Sequence, residues 1–417
     1  MSVAIVGAGI GGLTAALSLH AAGRDDILLL EGAREIRDVG VGINLPPHAV
    51  RELSELGLGD ALDKAGVPTK ELAYYDPTGQ LIWAEPRGLD AGYKWPQYSI
   101  HRGTLQRLLV DAVRQRLGPS SIHVAQRVTG VKAEPGSNKV LIEAVDLTTD
   151  GATSYVVDIV VGADGIRSPV RNSLYGSAIP LASNGWVMYR GVTKSAPFLS
   201  GRSMVIIGDE TQRVVVYPIA DGVLNWLLVR PKDQTQADTE LGNWNVPVST
   251  SAIAAFVKDY RFDWLDVHAL VSSASEAYEY PMADIDPLPR WVFGRCALLG
   301  DAAHAMYPFG SNGASQAILD ARVLAYELAN ASTIDEGLRA YETHRRPVTS
   351  EVQLANRRQA GDVMARVSAM ARRGAHGDAA SELQDVERRY KQLAGFDVEA
   401  LNNRKSWNVS GALQHTS

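Results

Sequence analysis

The first seventeen residues constrain the fold more than any other stretch. Val3-Ala4-Ile5-Val6 is an apolar strand, Gly7-Ala8-Gly9-Ile10-Gly11-Gly12 follows at once, and Leu13-Thr14-Ala15-Ala16-Leu17 has the composition of a helix. A strand that turns through four glycines into a helix is a dinucleotide-binding fingerprint. Gly7 permits the tight turn, Gly9 lets the backbone approach a pyrophosphate, and Gly12 lets the helix pack close to the strand, with Gly11 in the same turn. The helix N-terminus then presents free N–H groups to phosphate oxygens. A second apolar run, Ile27–Leu30, ends on Glu31 about 20 residues after the glycines, where a carboxylate accepts the hydroxyls of an adenosine ribose. That carboxylate would repel a 2′-phosphate, so the site reads as one for FAD or NAD rather than NADP.

Two later stretches repeat this logic. Residues 156–162 read as one strand buried on both faces. They run into Ala163-Asp164-Gly165, with Arg167, Ser168 and Arg171 at a helix start, which is the make-up of a second site beside phosphates. Residues 291–299 are again apolar and lead through Gly300-Asp301 to Tyr307-Pro308-Phe309-Gly310-Ser311-Asn312-Gly313-Ala314 and a helix. Asp301 suits a sugar-alcohol hydroxyl, and the N–H groups opening the helix suit negative charge on a ring, as a flavin requires. His304, with no metal-ligand or acid/base pattern around it, reads as a structural cap of this loop.

Between these stretches, Val39-Gly40-Val41-Gly42-Ile43-Asn44 is a glycine-bearing loop that could lie along a flat cofactor. Arg102 opens a helix over 103–117, where the helix dipole gives a cation no reason to be. An anionic ligand supplies one; an exposed surface arginine is the alternative. Residues 72–83 read as a hairpin about the turn Asp76-Pro77-Thr78-Gly79.

From about 174 to 283 the texture changes to short aromatic and β-branched runs, with Ala220-Asp221-Gly222 as a hairpin turn and helical pattern confined to 251–260. This reads as an inserted, mostly antiparallel sheet laid over the nucleotide domain. Tyr189, Arg213, Tyr217, Trp226 and Tyr280 are its pocket candidates. The expected division is a discontinuous cofactor domain, 1–173 and 284–346, a substrate domain, 174–283, and C-terminal helices with a tail, 347–417. Pro347 is expected to separate a helix over 335–345 from an amphipathic run over 348–373. A break at 374–378, a last helix over 379–393 and a frayed polar tail from Asn402 follow.

Composition excludes whole classes. A net charge of −6 with both signs interspersed offers no basic face for nucleic acid, and no apolar run approaches the ~20 residues of a membrane-spanning helix. The single cysteine, Cys296, cannot form an internal disulfide and reads as a core residue. With the first strand starting at Val3 there is no room for a signal peptide, so a reducing cytoplasm is expected.

The three anchors, Gly7-x-Gly9-x-x-Gly12 with Glu31, Asp164-Gly165, and Gly300-Asp301 with the loop from Pro308 to Gly313, stand in an order and spacing that resembles the class A flavin monooxygenases, the family of para-hydroxybenzoate and salicylate hydroxylases. The resemblance covers nearly the whole chain. It implies an α/β fold: a Rossmann-like FAD domain of the glutathione reductase type, an inserted antiparallel substrate sheet and C-terminal helices. It also implies one FAD per chain, with Arg102 near the ribityl and pyrophosphate, Asp301 on the ribityl, and the amides of Gly310, Asn312, Gly313 and Ala314 at the pyrimidine edge; Gly42 and Ile43, from the glycine-bearing loop, are further cofactor-binding candidates. Asp164 would take part in FAD and nicotinamide nucleotide binding. Within the family, Glu85-Pro86-Arg87-Gly88, residues 96–103, Tyr189-Arg190-Gly191-Val192-Thr193 and Asp286-Pro287-Leu288-Pro289 are similar to the phenazine-hydroxylase branch that serves pyocyanin biosynthesis. The strand over 213–219 and the segment 231–248 depart from it.

The reaction so implied uses NADH or NADPH and O₂ to hydroxylate an aromatic acid, with or without decarboxylation, through a peroxide at the flavin C4a carbon. The partner is a small aromatic substrate, the protein a monomer or homodimer, and no metal is involved. The alternatives are a flavin-dependent halogenase and a non-oxygenating flavin reductase or binding protein. Neither Asn225-Trp226-Leu227 nor Asn243-Trp244-Asn245-Val246-Pro247 reproduces the halogenase W-x-W-x-I-P signature.

Overall fold

A computed structural model describes residues 1–37, 40–232, 246–358 and 364–409. Val3–Val6 lies inside a six-stranded sheet of order Val292–Phe293, Cys296–Leu298, Ile159–Gly162, Val3–Val6, Ile27–Leu30, Ile122–His123. All neighbours are parallel except the first pair. A parallel sheet is covered on both faces, which is why these strands are apolar throughout; Val3, Ala4, Ile5 and Val6 are at most 3% exposed. Helix Ile10–Ala21 packs against both Arg102–Leu117 and Gly313–Asn330.

Parallel pairing explains how anchors far apart in sequence meet. Gly7, Glu31, Ala163 and Leu299 each leave the carboxyl end of a neighbouring strand, and Gly7, Ala163 and Leu299 donate backbone N–H groups to Leu30, Val6 and Gly162. Ligands of open α/β sheets bind beyond those carboxyl ends. Gly7 has φ +101°, and a Cβ there would lie 2.4 Å from the Ala163 carbonyl oxygen, so the neighbouring loop as well as the turn demands glycine.

The second sheet has eight strands in the order Val246–Pro247, Ala277–Asp284, Ala182–Lys194, Val223–Pro231, Arg213–Ala220, Ser203–Gly208, Glu71–Tyr75, Leu81–Pro86. It is antiparallel but for the pair Ser203–Gly208 and Glu71–Tyr75. The hairpin expected over 72–83 and assigned from sequence to the nucleotide unit spans 71–86 and forms an edge of this eight-stranded sheet. Strand pattern shows that a segment pairs, not which sheet it joins. Helix Val267–Ser272, capped by the Asp266 carboxylate, stands beside Thr250–Phe256 where only one helix was expected. The expected single strand over 156–162 is two, because the Asp158 carboxylate accepts the Ser2 N–H at 2.8 Å and breaks the run.

Pro347 does not end a helix: Ile334–Arg358 runs through it. An interior proline costs ~3 kcal/mol, and tethers on both sides hold the helix in place. Arg345 pairs with Asp320 at 2.7 Å, the Tyr341 hydroxyl donates to the Leu298 carbonyl at 2.8 Å, and Gln353 donates to the Ala305 carbonyl at 3.0 Å. Helices Met364–Arg372 and His376–Leu393 then meet at a turn containing Gly374, and Val398–Asn403 is a further helix. Of the polar stretch after Asn402 expected to fray, the described part, 403–409, docks on the body: Arg51 donates to the Arg404 carbonyl at 3.1 Å and Arg322 to Asn408 at 2.5 Å. Val39, residues 243–245 of the Trp244 motif, residues 359–363 of the expected run over 348–373, and the tail from 410 lie outside the described residues.

Candidate cofactor and substrate site

The strand-end loops enclose two cavities that share Gly9, Arg102, Ala163 and Gly165. One, of about 780 Å³, holds Gly7, Glu31 and Asp164; the other, of about 490 Å³, passes Gly42, Ile43, Asp301, Pro308, Gly310 and the start of helix Gly313–Asn330 to reach the eight-stranded sheet.

The first cavity suits the adenosine half of a dinucleotide. Helix Ile10–Ala21 opens at Gly9 with no side-chain cap. A Cβ on Gly9 or Gly165 would meet no protein atom within 4 Å, so bare backbone faces the space. The Glu31 carboxylate accepts N–H groups of Ala8 and Ala33, each at 2.8 Å, and retains lone pairs for ribose hydroxyls. Arg102 lines both cavities at their junction. These residues fit FAD: Glu31 could take ribose hydroxyls, the Gly9 helix end a pyrophosphate, and Arg102, at the junction, an anionic group between the two cavities.

Other expected ligands serve the frame. A Cβ on Gly12 would lie 2.0 Å from the Gly7 carbonyl oxygen, so Gly12 lets the helix close on the turn and lines neither cavity, while Gly11 lines the second cavity beside Leu299. Asp164 lines the first cavity, yet its carboxylate accepts the Ser168 hydroxyl at 2.5 Å and the Val170 N–H at 3.0 Å, capping helix Pro169–Tyr175. Burial pushes it up to about 6. Arg171 points inward and donates to the carbonyls of Ile166 at 2.5 Å and Ala302 at 3.1 Å, joining two anchor loops instead of meeting phosphate.

At the flavin end, Gly42 is clamped from the large sheet: its N–H donates to Asn225 at 2.6 Å and its carbonyl accepts from Arg190 at 3.0 Å. Gly310 has φ +71°, and a Cβ there would strike the Tyr390 ring at 2.4 Å, so Tyr390 and the turn require this glycine, rather than the cofactor. Gly313 is different, since its Cβ would meet only Met306, at 3.9 Å. The Asn312 side chain faces the protein: its oxygen accepts from His48 Nε2 at 3.1 Å and Gln316 at 3.2 Å, and its NH₂ donates to Tyr390. What Asn312 and Gly313 bring to the cavity is therefore main chain. Burial pushes His48 down to about 3, so it stays neutral with its proton on Nε2. His304 is fully buried, 2.5 Å from Asp320, and forms part of the frame.

Strand register decides which pocket candidates reach the second cavity. Residues paired across antiparallel strands share a face. Arg213 pairs with Val229, Val215 with Leu227 and Tyr217 with Asn225; Val229 and Leu227 pair in turn with Met188 and Arg190. Arg213, Val215, Tyr217, Met188 and Arg190 all line the cavity. Tyr189 pairs with Leu228 and Trp226 with Gly191 and Val216, so both face the other side. There Trp226 donates to the Thr193 hydroxyl at 3.0 Å and Tyr189 stacks on Phe256. Tyr280, opposite Met188, is on the cavity's face of the sheet but does not line the cavity: it packs with Met188, Met282 and Tyr307, with the Arg190 guanidinium 4.8 Å from its ring center. Choosing aromatic type over strand parity misplaced Tyr189 and Trp226; Tyr280 has the right parity but is held back by its packing.

Arg190 was missed although it is the single charged residue in the run 186–192. Also missed was the far wall, where helix His376–Leu393 brings Leu383, Val386, Glu387 and Tyr390 to the cavity. Glu387 accepts from Tyr74 at 3.2 Å and Arg87 at 3.1 Å, Arg87 also meets Glu85 at 2.7 Å, and Lys391 closes on Glu85 at 2.8 Å. Only tertiary structure brings those groups together. Arg213 lies against Trp186 and Phe309, 5.2 and 5.8 Å from their ring centers. Burial lowers it to about 10, which leaves it charged at neutral pH.

Residues 1–355 match the family described as FAD binding domain. The phenazine 1,6-dicarboxylic acid hydroxylase PhzS of Lysobacter antibioticus is 44% identical over 85% of this chain and 89% of that protein. The 3-hydroxybenzoate 6-hydroxylase 1 of Aquipseudomonas alcaligenes is 32% identical over 85% and 88%. Among solved structures, Klebsiella pneumoniae HpxO complexed with FAD and uric acid superposes with a TM-score of 0.78 at 25% identity, covering 95% of this chain and 96% of that one. No helix among the described residues is long and apolar enough to cross a membrane. With the anchors converging on a dinucleotide trough that opens into an apolar slot, and hydroxylases matching over most of its length, the chain belongs to the FAD binding domain family, as one of the class A flavin-dependent aromatic hydroxylases.

Proposed function

We propose that the protein hydroxylates a fused-ring aromatic carboxylic acid of the phenazine type, using NADH or NADPH and O₂. The observation that carries this reading is the second cavity: about 490 Å³, walled by Met188, Met204, Val215, Leu227, Val229 and Met282, with Arg213 among them. The apolar walls suit a flat ring, and a guanidinium in such a slot suits its carboxylate. The similarity to a phenazine dicarboxylate hydroxylase supports the ring class. Bound FAD supplies the redox chemistry, taking a hydride from NAD(P)H and activating O₂. The chain's own work is positional. Glu31, the Gly9 helix end, Arg102 and Asp301 would hold the cofactor, the N–H groups at Gly313 would favour negative charge on the ring, and the sheet and C-terminal helix would exclude water.

On this reading residues 1–70, 87–173 and 284–346 hold the cofactor, and 71–86, 174–283 and the C-terminal helices form the substrate wall. A reducing cytoplasm fits the single, buried Cys296, and the protein is read as a monomer or homodimer. The test is to screen phenazine carboxylates, benzoates and neutral phenazines for stimulation of NAD(P)H oxidation with product analysis. Arg213→Leu is expected to raise KM for the preferred acid by roughly 10- to 100-fold, the loss of one charge-assisted hydrogen bond, and to leave a neutral analogue unaffected. Equal loss for acid and neutral ring would remove Arg213 from carboxylate recognition.

A further inference from the structure

Four of the chain's seven methionines, Met188, Met204, Met282 and Met306, line the substrate cavity. They come from four separate segments: strands Ala182–Lys194, Ser203–Gly208 and Ala277–Asp284, and the loop before Phe309. Met306 is half-buried and stands at the flavin end, its Cγ 3.9 Å from the position a Gly313 Cβ would take. Met188 and Met282 pack with Tyr307 and beside Phe309, and Met204 lies farther along the slot beside Leu72 and Tyr74. A thioether is a polarisable surface for a flat ring, and it is also a ready acceptor of oxygen from peroxide.

We propose that these methionines form a sulfoxidation site, oxidised from within the cavity by hydrogen peroxide made whenever O₂ is reduced without a ring to hydroxylate. This rests on the reading that FAD and NAD(P)H reduce O₂ at this site. NAD(P)H, a proton and O₂ give NAD(P)⁺ and H₂O₂, two electrons passing to dioxygen. A methionine sulfur then donates an electron pair to one peroxide oxygen; the O–O bond breaks, an S–O bond forms, and the other oxygen leaves as water. The sulfur is oxidised by two electrons and the peroxide reduced by two. Each sulfoxide places a polar group in an apolar wall, so idle turnover degrades the surface that recognises the ring. A substrate filling the slot protects it by consuming the oxygen and by covering the sulfurs.

The test runs the FAD-loaded enzyme with NAD(P)H and no aromatic acid, with catalase in solution, and maps sulfoxides by peptide mass spectrometry while O₂ uptake is recorded. A parallel sample receives added hydrogen peroxide and no NAD(P)H. Turnover is expected to oxidise Met306 first and roughly tenfold more than the exposed Met1, whereas added peroxide oxidises Met1 first. O₂ uptake with bound FAD but a Met1-first order, or sulfoxides abolished by catalase, overturns the proposal. A chain that binds no FAD or takes up no O₂ overturns the reading beneath it, and the proposal with it.

Discussion

Arg102 is where the two cavities meet, so its side chain is the most direct probe of how the trough holds a cofactor. Arg102→Ala is expected to weaken FAD binding by ~1.5–3 kcal/mol, the contribution of a charge-assisted hydrogen bond, with the fold unchanged. Flavin retained after dialysis reads this out, and wild-type retention returns Arg102 to the surface. His48 carries a different kind of information. Burial lowers its pKa from 6.5 to about 3, so the unfolded chain binds the proton more readily than the folded one. The stabilisation is complete above pH 6.5 and is lost progressively as pH falls from there toward 3. Between pH 7 and 5 this one group removes about 2 kcal/mol. Denaturant unfolding at the two pH values should therefore show a loss that His48→Gln reduces by about that amount; an unchanged difference would mean that His48 takes up its proton without unfolding. Glu31, Arg102 and Asp301, which line the cavities, were legible as candidates because each sits at a fixed offset from a strand or helix end. Sequence reasoning had no means to find His48, whose partners Asn312 and Phe396 come from distant segments.

At the scale of the element, helix His376–Leu393 joins the site through ion pairs. Its Glu387 and Lys391 close on Arg87, Tyr74 and Glu85, which belong to or adjoin the hairpin over 71–86. Arg87 is 10% exposed and stays charged, because Glu387 and Glu85 outweigh the effect of its burial. Removing one partner of such a pair leaves a nearly buried charge undercompensated, at a cost of ~3 kcal/mol. Glu387→Ala is expected to loosen this helix first, visible as faster amide hydrogen exchange over 376–393 with protection of Val3–Val6 retained. A uniform rise across the molecule would make the cluster a general stabiliser instead of a latch. Elements with strong local signals, such as Ile10–Ala21 and Arg102–Leu117, were legible in the sequence. Those decided by tertiary contacts were not: tethers carry Ile334–Arg358 through Pro347, and Arg51 and Arg322 hold the polar stretch at Arg404 and Asn408.

For the whole molecule, the second cavity, proposed above to take the flavin ring, lies between the two sheets, one supplying strand-end loops and the other the clamp on Gly42 and the apolar wall. Two glycines of the loop between them separate the fold's requirements from the reaction's. Gly310 has φ +71° and lies against Tyr390, so any side chain there strains the backbone and pushes on the C-terminal helix. Gly313 has room for a side chain within the protein, but that room is cavity. Gly310→Ala is accordingly expected to lower the melting temperature by several degrees, a cost of ~1–3 kcal/mol. Gly313→Leu is expected to leave melting nearly unchanged and to displace the flavin ring from the N–H groups that open helix Gly313–Asn330. With the ring displaced and the slot less well sealed, more of the NAD(P)H oxidised should end as hydrogen peroxide and less as hydroxylated product. Peroxide and product measured together at saturating substrate decide the matter. A Gly313→Leu enzyme that binds FAD and couples as well as the wild type would remove this loop from the oxygenation step, leaving it a structural connection between the sheets.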